Sequence, residues 1–312
     1  MTDTKKTFTR IGLALIAAYA VLLAFGRFVL TPLLTAADLE KVIETIGPSL
    51  TLLLTYIPNL IFLLVFWLVI RTIPKSEWKG EPMRCGALVQ IFVMMYAVSG
   101  VLNLVGISIS KASPAGGTEQ LDMINRIVTS GLVTGILMTV VIAPVVEELI
   151  FRKFMLDRIR NYGEKTAIVF SALCFGLFHG NLTQFLFAFT AGLFLGYVYC
   201  KTGKVHYTMI MHALLNAAGA SVMLLASGME QGNAVMLFLL SLMVLTIAVM
   251  LIAGFVQLVR HLKRRDMRLD SSMMTAIPSG DVLKTVYLNP CMLVFMAFCT
   301  AEIVMGLLKI SL

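Results

Sequence analysis

Glu147, Glu148 and Arg152 stand in the stretch EELIFR, directly after the uncharged run TGILMTVVIAPVV. Ionisable groups at membrane depth cost several kcal/mol, on the order of 3 or more for each, so this placement calls for a chemical reason. On a helix Glu148 and Arg152 are i and i+4; they share a face and can pair. Glu147 is turned about 100° away and is not tied to the same arginine. One carboxylate can thus be neutralised while its neighbour stays available. The i, i+4 spacing recurs in two other apolar runs, joining Phe175 to His179 and His212 to Asn216. A carboxylate in a poorly solvated pocket can take a proton from water with the help of a histidine. A second histidine and an asparagine can donate to a developing oxyanion. Together these groups have the chemistry to hydrolyse an amide.

The elements that must position them are membrane helices. The chain has 312 residues, of which 59% are hydrophobic and only 13% charged; soluble domains hold about 45–50% apolar residues. Many of its runs reach the roughly 20 apolar residues that cross a bilayer. Spans are expected near 11–35, 50–72, 86–109, 128–157, 166–181, 183–200, 205–227, 233–259 and 288–308. The fold class is all-α, a polytopic transmembrane helical bundle of about 8–9 spans with a cytoplasmic N-terminus. At 1.5 Å per residue, Glu147 lies about 16 Å below the cytoplasmic end of the fourth span. His179 lies about 21 Å deep, His212 about 10 Å and Asn216 about 16 Å by the same measure. The depths overlap, so the four groups can share one intramembrane cavity. Pro144 predicts a kink in the fourth span just before the glutamates.

The net charge of +8 follows topology rather than a nucleic-acid partner. With alternating spans, the inside segments hold Lys5, Lys6 and Arg10, the groups 71–84 and 152–165, Lys201 and Lys204, and the cluster RHLKRRDMR beginning at Arg260. The outside segments hold only Lys41, Lys111, Arg126 and Lys309. This asymmetry is the positive-inside pattern, and the basic segments meet anionic lipid headgroups. The first apolar run is too long for a signal h-region and reads as an uncleaved span. The five cysteines form no CxxC pair, so neither a disulfide framework nor a cysteine metal site is expected. The whole chain, 1–312, is expected to be one membrane-embedded domain. Its catalytic core helices lie at 128–227, with accessory spans at 1–127 and 228–312, the latter carrying the basic loop 260–287. Polar outside loops are expected at 36–49 and 110–126. Gly192/Gly196 and the run Ala217–Ala220 read as helix-packing surfaces.

Three motifs on separate apolar helices carry a family resemblance. Glu147-Glu148-Leu-Ile-Phe-Arg152 matches EExxxR, Phe175-Gly-Leu-Phe-His179 matches FxxxH, and His212-Ala-Leu-Leu-Asn216 matches HxxxN. The chain resembles the intramembrane proteases that include the type II CAAX prenyl endopeptidases and the bacteriocin-processing or self-immunity proteins (the CPBP, or Abi, family). The resemblance implies an endopeptidase in which Glu147 activates water with help from His179, and His212 and Asn216 stabilise the oxyanion. Glu148, Arg152 and Phe175 would support the site. The cofactor stays open. Glu147, His179 and His212 could ligate zinc, but no HExxH is present, and a metal-free, glutamate-dependent mechanism is preferred. The implied partners are a peptide or membrane-protein substrate and membrane lipids, with no nucleic acid and no oligomeric state fixed. The absence of a targeting segment and the small size suit a prokaryotic plasma membrane. The competing reading is a non-proteolytic membrane regulator or self-immunity scaffold on the same fold. A transporter would call for inverted repeats, and none is seen.

Overall fold

The computed structural model describes residues 2–32, 48–76, 80–114, 116, 132–229, 234–269 and 277–310. The expected loops at 36–49 and 110–126 lie largely outside these residues. Every regular element among the described residues is helical. The rods are α1 (Thr2–Phe25, continued by a π turn Gly26–Leu30), α2 (Pro48–Ile70), α3 (Cys85–Ala112) and α4, a composite rod over 132–162. They continue as α5 (Glu164–Leu177), α6 (Leu182–Thr202), α7 (Val205–Met229), α8 (Ala234–Arg264) and α9 (Pro290–Leu308). Each overlaps one expected span, although α5, at 14 residues, is shorter than a membrane crossing. Six of them are long and apolar enough to cross a membrane by themselves, and Tyr56–Ile70 is a shorter apolar helix. The multi-pass membrane reading therefore holds.

The chain divides into two compact units. The first comprises Met1–Ser76, Glu119–Ile159 and Ile277–Phe298. On α1, Phe8, Ile11, Leu15 and Ala18 recur at helical spacing and are buried, and Phe62, Phe66 and Ile70 do the same on α2. Gly12 lets α1 approach the start of α9 closely: a Cβ there would lie 2.9 Å from Cys291 Cβ and 3.0 Å from the Met292 nitrogen. Tyr19 meets Phe295 edge-on, ring centroids 6.4 Å apart. The buried Arg158 donates from Nε to Ile70 O (2.9 Å) and from Nη1 to Phe154 O (2.8 Å). It thereby adds a second donor to a carbonyl at the C-terminus of α2 that already accepts from the Ile73 N–H (2.8 Å).

The second unit comprises Glu77–Thr118, Arg160–Ala276 and Cys299–Leu312. Its core joins Ile91, Met94 and Met95 of α3 to Ala191, Leu195 and Val198 of α6 and to Met211 and Leu215 of α7. Small residues set its helix spacings. A Cβ on Gly192 would lie 3.0 Å from Ala172 Cα, and one on Gly106 would lie 2.8 Å from Thr183 Cα. Gly196 faces Ile168, so the Gly192/Gly196 pair is a packing surface as expected. Gly219 is a correction to the Ala217–Ala220 reading, since it faces open space. The fully buried Glu164 opens α5 and pairs with Arg160 and with Lys201, each at 2.6 Å. The Lys201 contact ties the start of α5 to the end of α6. At Gly203, φ is +64° and the N–H bonds to Tyr199 O, which closes α6 with a left-handed C-terminal turn.

Candidate active site

Glu147, Glu148 and Arg152 belong to the first unit. The composite rod α4 reads π over Leu137–Ile142, α over Ala143–Glu148 and π again over Leu149–Leu156. Pro144, where a kink was expected, stands at the start of the α stretch, just after the first π stretch. Proline has no N–H to give and its ring crowds the carbonyl one turn back. The Ala143 N–H reaches five residues back, to Met138 O, so the ladder widens beside the proline.

Glu148 Oε2 lies 3.1 Å from Arg152 Nε, and both side chains are fully buried. Glu147, on the adjoining face, is only half-buried. The Glu148–Arg152 pairing expected from the i, i+4 spacing is thus present. Tyr56 of α2 lies within electrostatic reach of Glu147. The sequence reading passed over this tyrosine. Its only signal was a phenol in the apolar run TLLLTYIPNLIFLL.

Phe175, His179, His212 and Asn216 belong to the second unit. The fifth span was expected to run to 181, but α5 ends at Leu177 and His179 sits in the following turn. Gly180, at φ +66°, takes the left-handed conformation that ends the helix at low cost. His179 still meets Phe175, because its Nδ1 lies 2.8 Å from Phe175 O. A carbonyl oxygen only accepts, so Nδ1 carries a proton, and in the neutral form of the ring Nε2 is the acceptor. The Phe175 ring stands edge-on to both imidazoles, its centroid 5.1 Å from His179 and 5.6 Å from His212. Phe175 is therefore a wedge that gathers both histidines, and Gly192 makes room for it: a Cβ there would lie 3.3 Å from Phe175 Cδ1. His212 is buried, and Asn216 follows one turn later on α7, half-buried.

Asn181 is a positioning residue that the sequence reading missed. Its Oδ1 accepts from the Gln184 N–H (2.9 Å), which caps α6. Its Nδ2 donates to His179 O (3.0 Å) and to Gln184 Oε1 (2.6 Å). Asn followed three residues later by Gln is a variant of the capping box, and that was the available signal.

Among the described residues no three His, Cys, Asp or Glu side chains gather into a metal-binding group. His179 Nδ1 is engaged with a backbone carbonyl, which leaves Nε2 as the ring nitrogen a metal would take. Of the three possible zinc ligands, Glu147 belongs to the first unit and His179 and His212 to the second, and no step is routed through a metal.

Fold and residues define a class, a multi-pass helical membrane protein with paired carboxylates on one apolar helix and two imidazoles, one in the turn after α5 and one on α7. Residues 129–218 match the family model described as Type II CAAX prenyl endopeptidase Rce1-like. That stretch holds all three motifs, so the resemblance read from them is borne out there. A similar protein is the "Putative membrane peptidase YdiL" of Bacillus subtilis (strain 168), 25% identical over 167 residues. The alignment covers 49% of this chain and 64% of that protein, less than two thirds of its length. No solved structure matches the chain.

Proposed function

We propose that this chain is an intramembrane endopeptidase that hydrolyses a peptide bond in a membrane-associated peptide or protein. The observation that carries this reading is the gathering of His179 and His212 around Phe175, with the His179 tautomer fixed, inside the stretch that matches the peptidase family. Glu147 is the general base. It takes a proton from water as the water oxygen bonds to the scissile carbonyl carbon. His179 Nε2, held as an acceptor, receives the second hydrogen bond of that water and orients its lone pair. His212 and the Asn216 carboxamide donate to the tetrahedral oxyanion, an interaction stronger in the transition state than in the ground state. As the C–N bond breaks, the proton held by Glu147 passes to the leaving amine. The products are a carboxylate and a free amino terminus. Glu148 and Arg152 hold the helix that carries Glu147. A prokaryotic plasma membrane fits the short connections and the positive-inside pattern.

The test is cleavage of membrane and lipidated peptides by purified protein, wild type against Glu147→Gln, with and without chelator. Wild-type cleavage that falls about 100-fold or more in the variant is expected for loss of a general base. A variant as active as wild type removes Glu147 from the mechanism. Loss of activity on chelation would overturn the metal-free form. If neither protein cuts while both stay folded, the scaffold reading takes its place.

A further inference from the structure

The cytoplasmic end of α8 carries a second polar site, separate from the three motifs. A recess of about 240 Å³ is lined by Gln90 of α3, by Gln257, Arg260, His261 and Arg264 of α8, and by Asp266. The four α8 residues stand at i, i+3, i+4 and i+7, so they form one face of the helix. Arg265 ends α8 at φ +53°, in the left-handed region, and the Asp266 N–H turns back to His261 O (3.4 Å). This is the geometry of a Schellman-type cap, and it folds Asp266 over the rim of the recess. The Asp266 carboxylate lies 3.6 Å from His261 Nδ1. Neither Arg260 nor Arg264 has a carboxylate or hydrogen-bond partner among the described residues.

We propose that this recess binds the phosphate of an anionic phospholipid headgroup. Two guanidiniums outweigh one carboxylate, which leaves the recess electropositive. Guanidiniums present parallel N–H pairs that suit phosphate oxygens, and the Gln90 and Gln257 amides add neutral donors. A lipid is favoured over free phosphate by where the recess lies. The positive-inside pattern puts this end of α8 at the leaflet face where anionic lipids concentrate.

The experiment is native mass spectrometry of the full chain released from micelles doped with phosphatidylglycerol or phosphatidylcholine of matched chains. Wild type is compared with Arg260→Gln/Arg264→Gln, and an arm with millimolar inorganic phosphate is included. Wild type is expected to retain phosphatidylglycerol at least about tenfold better than the double variant, from the loss of two charge-assisted contacts. It is also expected to prefer phosphatidylglycerol to phosphatidylcholine. Equal retention by wild type and variant overturns the site and leaves the basic cluster as a topology anchor. Displacement of the lipid by millimolar phosphate overturns the lipid assignment in favour of a free anion. If the double variant does not fold, Gln257→Glu sets a carboxylate in the recess and is expected to lower retention in the same way. Retention unchanged by Gln257→Glu would overturn the proposal.

Discussion

The packing of α5 on α6 can be tested with one substitution made at two places. Gly192 and Gly219 both lie inside helices, so alanine should gain about 1 kcal/mol of helix propensity at either. At Gly219 the new methyl enters open space, and that gain should be realised. At Gly192 the methyl would lie 3.0 Å from Ala172 Cα, 3.1 Å from Ala172 Cβ and 3.3 Å from Phe175 Cδ1. The nearest atom is backbone, so relief requires α5 to move, and overpacking of this kind costs about 1–3 kcal/mol. The propensity gain cancels between the two variants. Gly192→Ala should therefore be less stable than Gly219→Ala by about 1–3 kcal/mol. Unfolding in mixed micelles titrated with SDS and followed by helical circular dichroism would measure the difference. Displacement of α5 also shifts Phe175 against both imidazoles, so Gly192→Ala should lower the proposed peptidase turnover. Equal stabilisation by the two alanines would refute the claim that α5 and α6 are locked at this contact, and with it the account of Phe175 as a wedge.

Arg152→Met should destabilise by about 3–5 kcal/mol, because it leaves the buried Glu148 without its counter-ion. Glu148→Leu/Arg152→Met should cost less than the sum of the single changes, and a double-mutant cycle in the same unfolding assay would show additivity if the pair does not act as a unit. Asn181→Ala should lose about 1 kcal/mol with the α6 cap. Asn181→Asp keeps the capping oxygen but loses the donor to His179 O, so kcat should fall with little change in stability. A kcat equal to wild type would remove Asn181 from the positioning of His179.

Much was legible in the sequence because the membrane simplifies the reading. A backbone in lipid must satisfy its own hydrogen bonds, so an apolar run of span length becomes a helix. Each expected span accordingly overlaps a helix. The Glu148–Arg152 pair was equally legible, since i, i+4 geometry is local to one helix. The end of α5 was not. The FxxxH spacing suggested a helix through His179, whereas the left-handed turn at Gly180 stops it sooner, and only the backbone path shows that Nδ1 still reaches Phe175 O. Pro144 marked a disturbance, but its form, a widened π ladder, depends on how the neighbouring turns accommodate the missing donor. Gly192 and Gly219 look alike as letters; what lies across from each is decided by which helices pack together. The same holds for Phe175 between an imidazole from the turn after α5 and one from α7, and for the recess that joins Gln90 to the end of α8. The sequence determined which groups the chain carries and on which helix each stands, because hydropathy and helical periodicity are local. Tertiary structure decided which groups meet and in what protonation geometry, because contacts between helices are set by packing at a distance along the chain.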